Sequence, residues 1–346
     1  MSLSSAIAAR DVTELPSRRD EDWRWTDLKG LLRVLPPPSP VHEAPLPPGP
    51  FGALGEAEVA VVNGHVPPHA GVLVLGPGAS RVVRLRFVAA TDATAHGAHV
   101  AIRLGAHARL TLLESHEGQA SDYLADAQLD IRLDEGAVLE RVVIAADGEG
   151  SVRVVQAQVL LAAGAAYAQT VLTDGAKRQR LEARIAHPGA GAKVRLDGVY
   201  LLANQRHADL TTVVDHQGVD GATTQLAKGV VRDQARGVFQ GRIVVEEGAD
   251  RTDARMGHHA LVLSDRAEVD AKPELLINAD DVQCAHGNTV GALDEEAMFY
   301  MRQRGISEPE ARALLISAFI GEVIDRIEHE AARDLARAWA AGRLET

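Results

Sequence analysis

The densest run of residues able to do chemistry is Asp280-Asp281-Val282-Gln283-Cys284-Ala285-His286-Gly287-Asn288. In an extended segment successive side chains alternate faces, so Cys284 and His286 project together. A thiolate and an imidazole are ligands for zinc or for iron–sulfur chemistry. Two ligands do not complete a tetrahedral set, so a metal held here needs donors from another chain or from distant parts of this one. The plainer alternative is a small buried Cys beside a hydrogen-bonded His at a strand end. Cys284 is the single cysteine among 346 residues, which excludes an internal disulfide and a Cys-rich metal site.

Other candidates are weaker. His258 and His259 are adjacent, so on a strand they face opposite ways and chelate poorly; His207 and His216 read as ordinary packed or surface histidines. The serines form no Gly-x-Ser-x-Gly elbow, and no Gly-x-x-x-x-Gly-Lys-Ser/Thr loop or Gly-x-Gly-x-x-Gly fingerprint is present. Hydrolase, P-loop ATPase and dinucleotide enzyme are therefore not expected. A sugar-cleaving β-helix enzyme would need acid/base carboxylates and aromatic platforms. Acids are plentiful, but the chain holds five Phe, three Trp and four Tyr.

The elements that must position Cys284 and His286 are strands. From Glu58 to Asp281 short runs alternate apolar and polar residues, as in Val100-Ile102-Leu104, Leu129-Ile131-Leu133 and Leu181-Ala183-Ile185. Seven of the chain's twelve Gly-Ala pairs, at Gly78, Gly105, Gly136, Gly164, Gly191, Gly221 and Gly248, are separated by 27, 31, 28, 27, 30 and 27 residues. Such a period is that of stacked coils, with Gly at a tight corner and Ala in its crowded inside. The open ends of a stack need covering, and helical segments at either end of the chain are expected to cap them.

Four regions follow: a helical segment over 1–35, a proline-rich linker over 36–57, a β core over 58–292 and a helical domain over 293–346. The linker holds eight of the fifteen prolines, which favour an extended, semi-rigid chain. In the first region Trp23 and Trp25 sit among charges, read as a surface helix pinned by its tryptophans or as a docking arm. In the last, Asp294 to Gly305 runs from acids to Arg and Gly, and Ser307-Glu308-Pro309-Glu310 reads as a capping box opening a helix through Ile327. Lys and Arg number 36 against 48 Asp and Glu, so the net charge of −12 disfavours nucleic acid and anionic membranes. No signal-peptide pattern or membrane span is read, and a cytoplasmic location is the expectation.

The run Cys284-Ala285-His286-Gly287-Asn288-Thr289-Val290-Gly291, continuing to Ile306 and through Glu310-Ala311-Arg312 and Leu314-Leu315 to Ala318-Phe319, resembles the C-terminal signature of the SufB/SufD family. Val214-Asp215-His216, Val238-Phe239-Gln240-Gly241 and Ala271-Lys272-Pro273-Glu274-Leu275 are similar to further family segments, as is Arg18 to Leu28. Cys-x-His-Gly at Cys284 sides against the SufB branch, which carries a Glu-His-Glu run there. The resemblance implies a mainly β fold, a right-handed parallel β-helix with helical N-terminal and C-terminal segments. It implies a non-catalytic scaffold for iron–sulfur cluster assembly, paired through its terminal strands with a SufB-like subunit, or with itself when alone. A SufC-like ATPase would dock on the C-terminal helices, with Glu310, Arg312, Leu314, Leu315 and Phe319 as candidate contacts. His286 and Cys284 become candidate interfacial iron or cluster ligands completed by the partner chain. No cofactor is expected in the isolated chain, and an Fe–S cluster belongs at the interface of the complex.

Overall fold

A computed structural model describes residues 3–54, 57–68 and 71–344. Gly55 and Glu56 of the expected linker, His69 and Ala70 of the expected β core, Glu345 and Thr346 of the C-terminal domain, and Met1 and Ser2 lie outside these residues. Among the described residues seventeen strands run in chain order from β1 (Ala57–Val62) to β17 (Val282–Gly291). Odd-numbered strands form a nine-stranded sheet and even-numbered strands an eight-stranded one, so the chain winds as a β-solenoid with two strands per coil. Each strand pairs in parallel with the strand two places along.

Period-two alternation is what builds the stack. In β10 (Arg178–His187), Leu181, Ala183 and Ile185 point into the lumen and align with Leu210, Thr212 and Val214 of β12 (His207–His216). Like residues thus pile into columns, and each coil buries its apolar face against its neighbours.

The corners correct the Gly-Ala reading. The left-handed corner position is held by Gly78, His107, Gly136, Gly164, Gly191, Asp220 and Gly248, separated by 29, 29, 28, 27, 29 and 28 residues. That is a tighter period than the Gly-Ala pairs gave. Gly105 and Gly221 are off this position; His107 and Asp220 occupy it, with φ of 59° and 58°. Asp tolerates that region through local hydrogen bonds. The Ala element is firmer: Ala108, Ala137, Ala165, Ala192 and Ala249 follow the corner and are fully buried.

Inside, Gly229 of β13 (Ala222–Val231) leaves room for Tyr200 of β11 (Lys193–Leu202): a Cβ at 229 would lie 1.9 Å from the Tyr200 ring. Gly229→Ala should therefore destabilise the chain by about 1–3 kcal/mol or more, since the aromatic ring cannot shift in a packed lumen. Urea unfolding tests this, and an unchanged midpoint would contradict it.

The helical segments cover faces, not ends. The N-terminal segment, with α1 (Leu3–Ala9) and α2 (Leu28–Leu31), crosses the outer face of the eight-stranded sheet as a strap. Leu3, Ala6, Leu15 and Leu28 bury against Leu124, Val152 and Val154. Trp23 lies in a single 3-10 turn, not a helix, and stacks on the Arg180 guanidinium at 4.4 Å. The proline-rich segment is extended but laid against the body: its carbonyls still accept, from Ala95 N at Pro37 and from Arg86 at Pro47, and Phe51 is buried.

The remaining helices are α3 (Glu295–Gln303), α4 (Glu308–Ile324) and α5 (Glu330–Leu344). Helices α4 and α5 pack Ile316, Ile320 and Val323 with Ala332, Ala336 and Ala340 against Leu113, Val142, Leu172 and Val199 on the outside of the nine-stranded sheet. Ser307 makes no side-chain cap, so the expected capping box does not form; Asp294 does cap α3. Among the described residues no helix is long and apolar enough to cross a membrane.

Candidate functional site

With the helices on the faces, the last coil, β16 (Glu268–Ile277) and β17, is left uncovered. Among the described residues each of these strands pairs on one side only, with β14 (Arg236–Val245) and β15 (Thr252–Val262) respectively. Their outer edges present unpaired backbone donors and acceptors over ten residues each. Leu276, Ile277 and Val290 are exposed beside those edges.

Cys284 and His286 sit in this terminal coil. They align with Ala254 and Met256 of β15, both buried in the core, and so continue an inward column, as the alternation requires. Cys284 is half-buried against the core, whereas His286 is exposed because no further coil follows. Burial pushes the Cys284 thiol above its ordinary pKa, with Asp253 adding to the effect, so it is a protonated thiol and ligates only after losing its proton. Among the described residues no three His, Cys, Asp or Glu side chains converge as a metal site. The pair is an incomplete donor set on the inward face, left open at the end of the solenoid.

Sequence reasoning missed a third member of the row. Asn288 aligns with His258, and alternation alone puts it on the face of Cys284 and His286. His258 is fully buried, stacked on Phe239 with centroids 4.6 Å apart, and held neutral by desolvation that lowers its pKa to about 4. His259 points the other way and bonds Thr289. His207 donates to the Trp25 carbonyl under the strap, and His216 packs against His187. None of these three joins Cys284 or His286.

The docking candidates on α4 divide. Glu310 and Leu314, one turn apart, face outward, with Leu314 47% exposed. Leu315 and Phe319 are half-buried, and the Lys228 ammonium sits 4.5 Å from the Phe319 ring. Arg312 pairs with Glu308 at 3.6 Å and lines a groove of about 640 Å³ floored by Leu201, Val230, Leu263 and Ile316. Helix α3 buries nothing and leaves Phe299 and Tyr300 exposed. The α4–α5 junction is seated by Glu140, which accepts from the backbone N–H of Glu328 (2.6 Å) and His329 (3.1 Å), and by Asp197 beside Arg326.

The family model described as "SUF system FeS cluster assembly, SufBD core domain" matches residues 87–319, well over half the chain. The chain belongs to the SufBD family. Within it the chain is SufD-like. The iron-sulfur cluster assembly protein SufD of Escherichia coli is 32% identical over 254 residues, 72% of this chain and 59% of that protein. A SufBD family protein of Synechocystis sp. is 30% identical over 230 residues, 64% of this chain and 51% of its own length. SufD of Bacillus subtilis is 35% identical over 122 residues, 35% of this chain and 28% of that protein. The chain thus spans between half and three-fifths of the first two SufBD relatives. The matched span takes in the solenoid from Phe87, the terminal coil and α4 as far as Phe319.

Proposed function

We propose that this chain is a non-catalytic scaffold subunit of an iron–sulfur cluster assembly complex. Its terminal coil pairs with that of a SufB-like subunit, and its α3–α4 surface docks a SufC-like ATPase. The observation that carries the reading is the inward row Cys284–His286 at an uncovered solenoid end, flanked by two unpaired strand edges. Joining a second solenoid there would satisfy the edges, as strand addition does elsewhere. It would also cover Leu276, Ile277 and Val290 and bring the partner's donors to an incomplete ligand pair. Iron or a nascent cluster is cargo at that junction, with His286 as a ligand and Cys284 as a second once deprotonated. SufD-like membership of the family supports the same assignment.

Two measurements test it. Size-exclusion with light scattering, on the chain mixed anaerobically with SufB-like and SufC-like subunits of the same source, should give one larger species containing all three. Within that complex, His286→Ala should leave folding and association intact, because the side chain is exposed, and lower cluster yield at least severalfold. Well-folded components that do not associate would defeat the scaffold reading; normal cluster yield from the variant would defeat the ligand role alone.

A further inference from the structure

Asn288 stands two residues beyond His286 in the same row, and it is held from behind. Tyr200 is fully buried, and its hydroxyl meets His258 Nε2 at 2.9 Å. A buried O–H must donate, and Tyr200 has no other acceptor among the described residues, so Nε2 accepts and the ring proton lies on Nδ1. Nδ1–H then donates to Asn288 Oδ1 at 2.6 Å. The Phe239 ring, parallel to the imidazole within 1°, keeps it from turning. With its oxygen engaged inward, exposed Asn288 presents its NH2 group at the open end, and that nitrogen has no partner among the described residues. Exposed Val290 follows it in the same row, and exposed Ile277 continues an inward column of the other sheet in the same coil.

We propose that the Asn288 amide is a fixed hydrogen-bond donor that selects the partner: the strand that closes the open end presents an acceptor opposite Asn288 Nδ2. This rests on the pairing proposed above. Covering the end with a strand lacking that acceptor would bury two N–H groups unsatisfied, which disfavours the wrong partner by about tenfold or more in affinity. Tyr200 and His258 act as positioning residues: they decide which end of the amide faces out.

The test is the association constant with the SufB-like subunit, measured on the full chain without iron or sulfide. Asn288→Ala should weaken association about tenfold, and Asn288→Asp, which turns the donor into a charged acceptor, should weaken it further. Tyr200→Phe should weaken association in the native background and add nothing in the Asn288→Ala background, a coupling that a merely structural role would not produce. Unchanged affinity of Asn288→Ala, or tighter binding by Asn288→Asp, overturns the inference while leaving the pairing intact. Absence of association by the unaltered chain removes pairing and donor together. Independently, ¹⁵N spectra of the isolated chain should show His258 protonated on Nδ1; a proton on Nε2 overturns the orientation whatever the partner does.

Discussion

Replacing Asp209 with Ala should cost about 2–4 kcal/mol of stability and loosen the N-terminal strap, because it strips a buried charge of one of its two carboxylate partners. Asp209 lies on β12 with no exposed surface, and so does Arg180 on β10. One Asp209 oxygen accepts from Arg180 (2.7 Å), from Thr26 of the strap (2.5 Å) and from Gln240 (3.1 Å); the other accepts from Thr211 (2.8 Å). Arg180 in turn donates to Glu182 and to the Asp22 carbonyl, under the Trp23 ring. Removing the carboxylate leaves the Thr26 hydroxyl without its acceptor, takes one of two carboxylates from the buried guanidinium, and leaves Gln240 only its longer bonds to the Asp22 carbonyl (3.2 Å) and Thr211 (3.3 Å). Asp209→Asn keeps the volume and one acceptor and should be milder. Urea unfolding reads the stability, and limited proteolysis between Ser17 and Lys29 reads the strap. A loss under about 1 kcal/mol with unchanged cleavage would show that the network is dispensable.

Acid should destabilise the chain at a pH where ordinary carboxylates are still ionised. Burial lowers His187, His207 and His258 to about 4 and His216 to about 3, from an ordinary 6.5. His187 and His216 meet edge to face at 4.1 Å, and the His187 ring nitrogens have no partners among the described residues. Gly221 closes over the two rings so tightly that a Cβ there would lie 2.6 Å from His187. The unfolded chain binds protons at these groups below about pH 6.5, and the folded chain does not until near pH 4. Their contribution is thus complete above about pH 6.5 and is lost as the pH falls, on the order of 2–3 kcal/mol per histidine. Asp197 works the other way: burial raises it to about 7, so its proton favours the folded state as pH falls. Burial raises Asp126, Glu140 and Asp174 in the same direction, but it also lowers His96 and His116, so six imidazoles stand against four carboxylates. The urea midpoint should drop clearly between about pH 7.5 and about pH 5; equal midpoints would mean that these rings are hydrated or already charged.

The solenoid was legible because its signal is repeated. Alternation in runs such as Leu181-Ala183-Ile185 and a near-constant spacing needed no long-range knowledge. The corner position was read less well, because the backbone conformation sought through Gly is also supplied by His107 and Asp220. The placement of the helices was not legible. Nothing local distinguishes an apolar stripe that caps a stack end from one that covers a sheet face, and Ile316 and Ile320 serve the face. At the site, Cys284 and His286 were found by type and spacing. Asn288 was passed over because an amide is not a metal ligand, although the same alternation marks its face. Its anchoring depends on Tyr200, Phe239 and His258, which come from different coils.

The strap also measures the solenoid. Ser4 grips Asp126 on β6 (Tyr123–Leu133), and Glu21, seventeen residues later, grips Lys272 on β16. Those strands are five ladder steps apart in one sheet, about 24 Å at the usual strand spacing. Adding or deleting one coil would move the second anchor about 4.8 Å past its mate while leaving every remaining coil well packed. A repeat architecture is ordinarily free to lengthen or shorten by whole units. Here a single segment of chain acts as a gauge that makes the number of coils between its two anchors a fixed quantity, and with it the position of the end that presents His286.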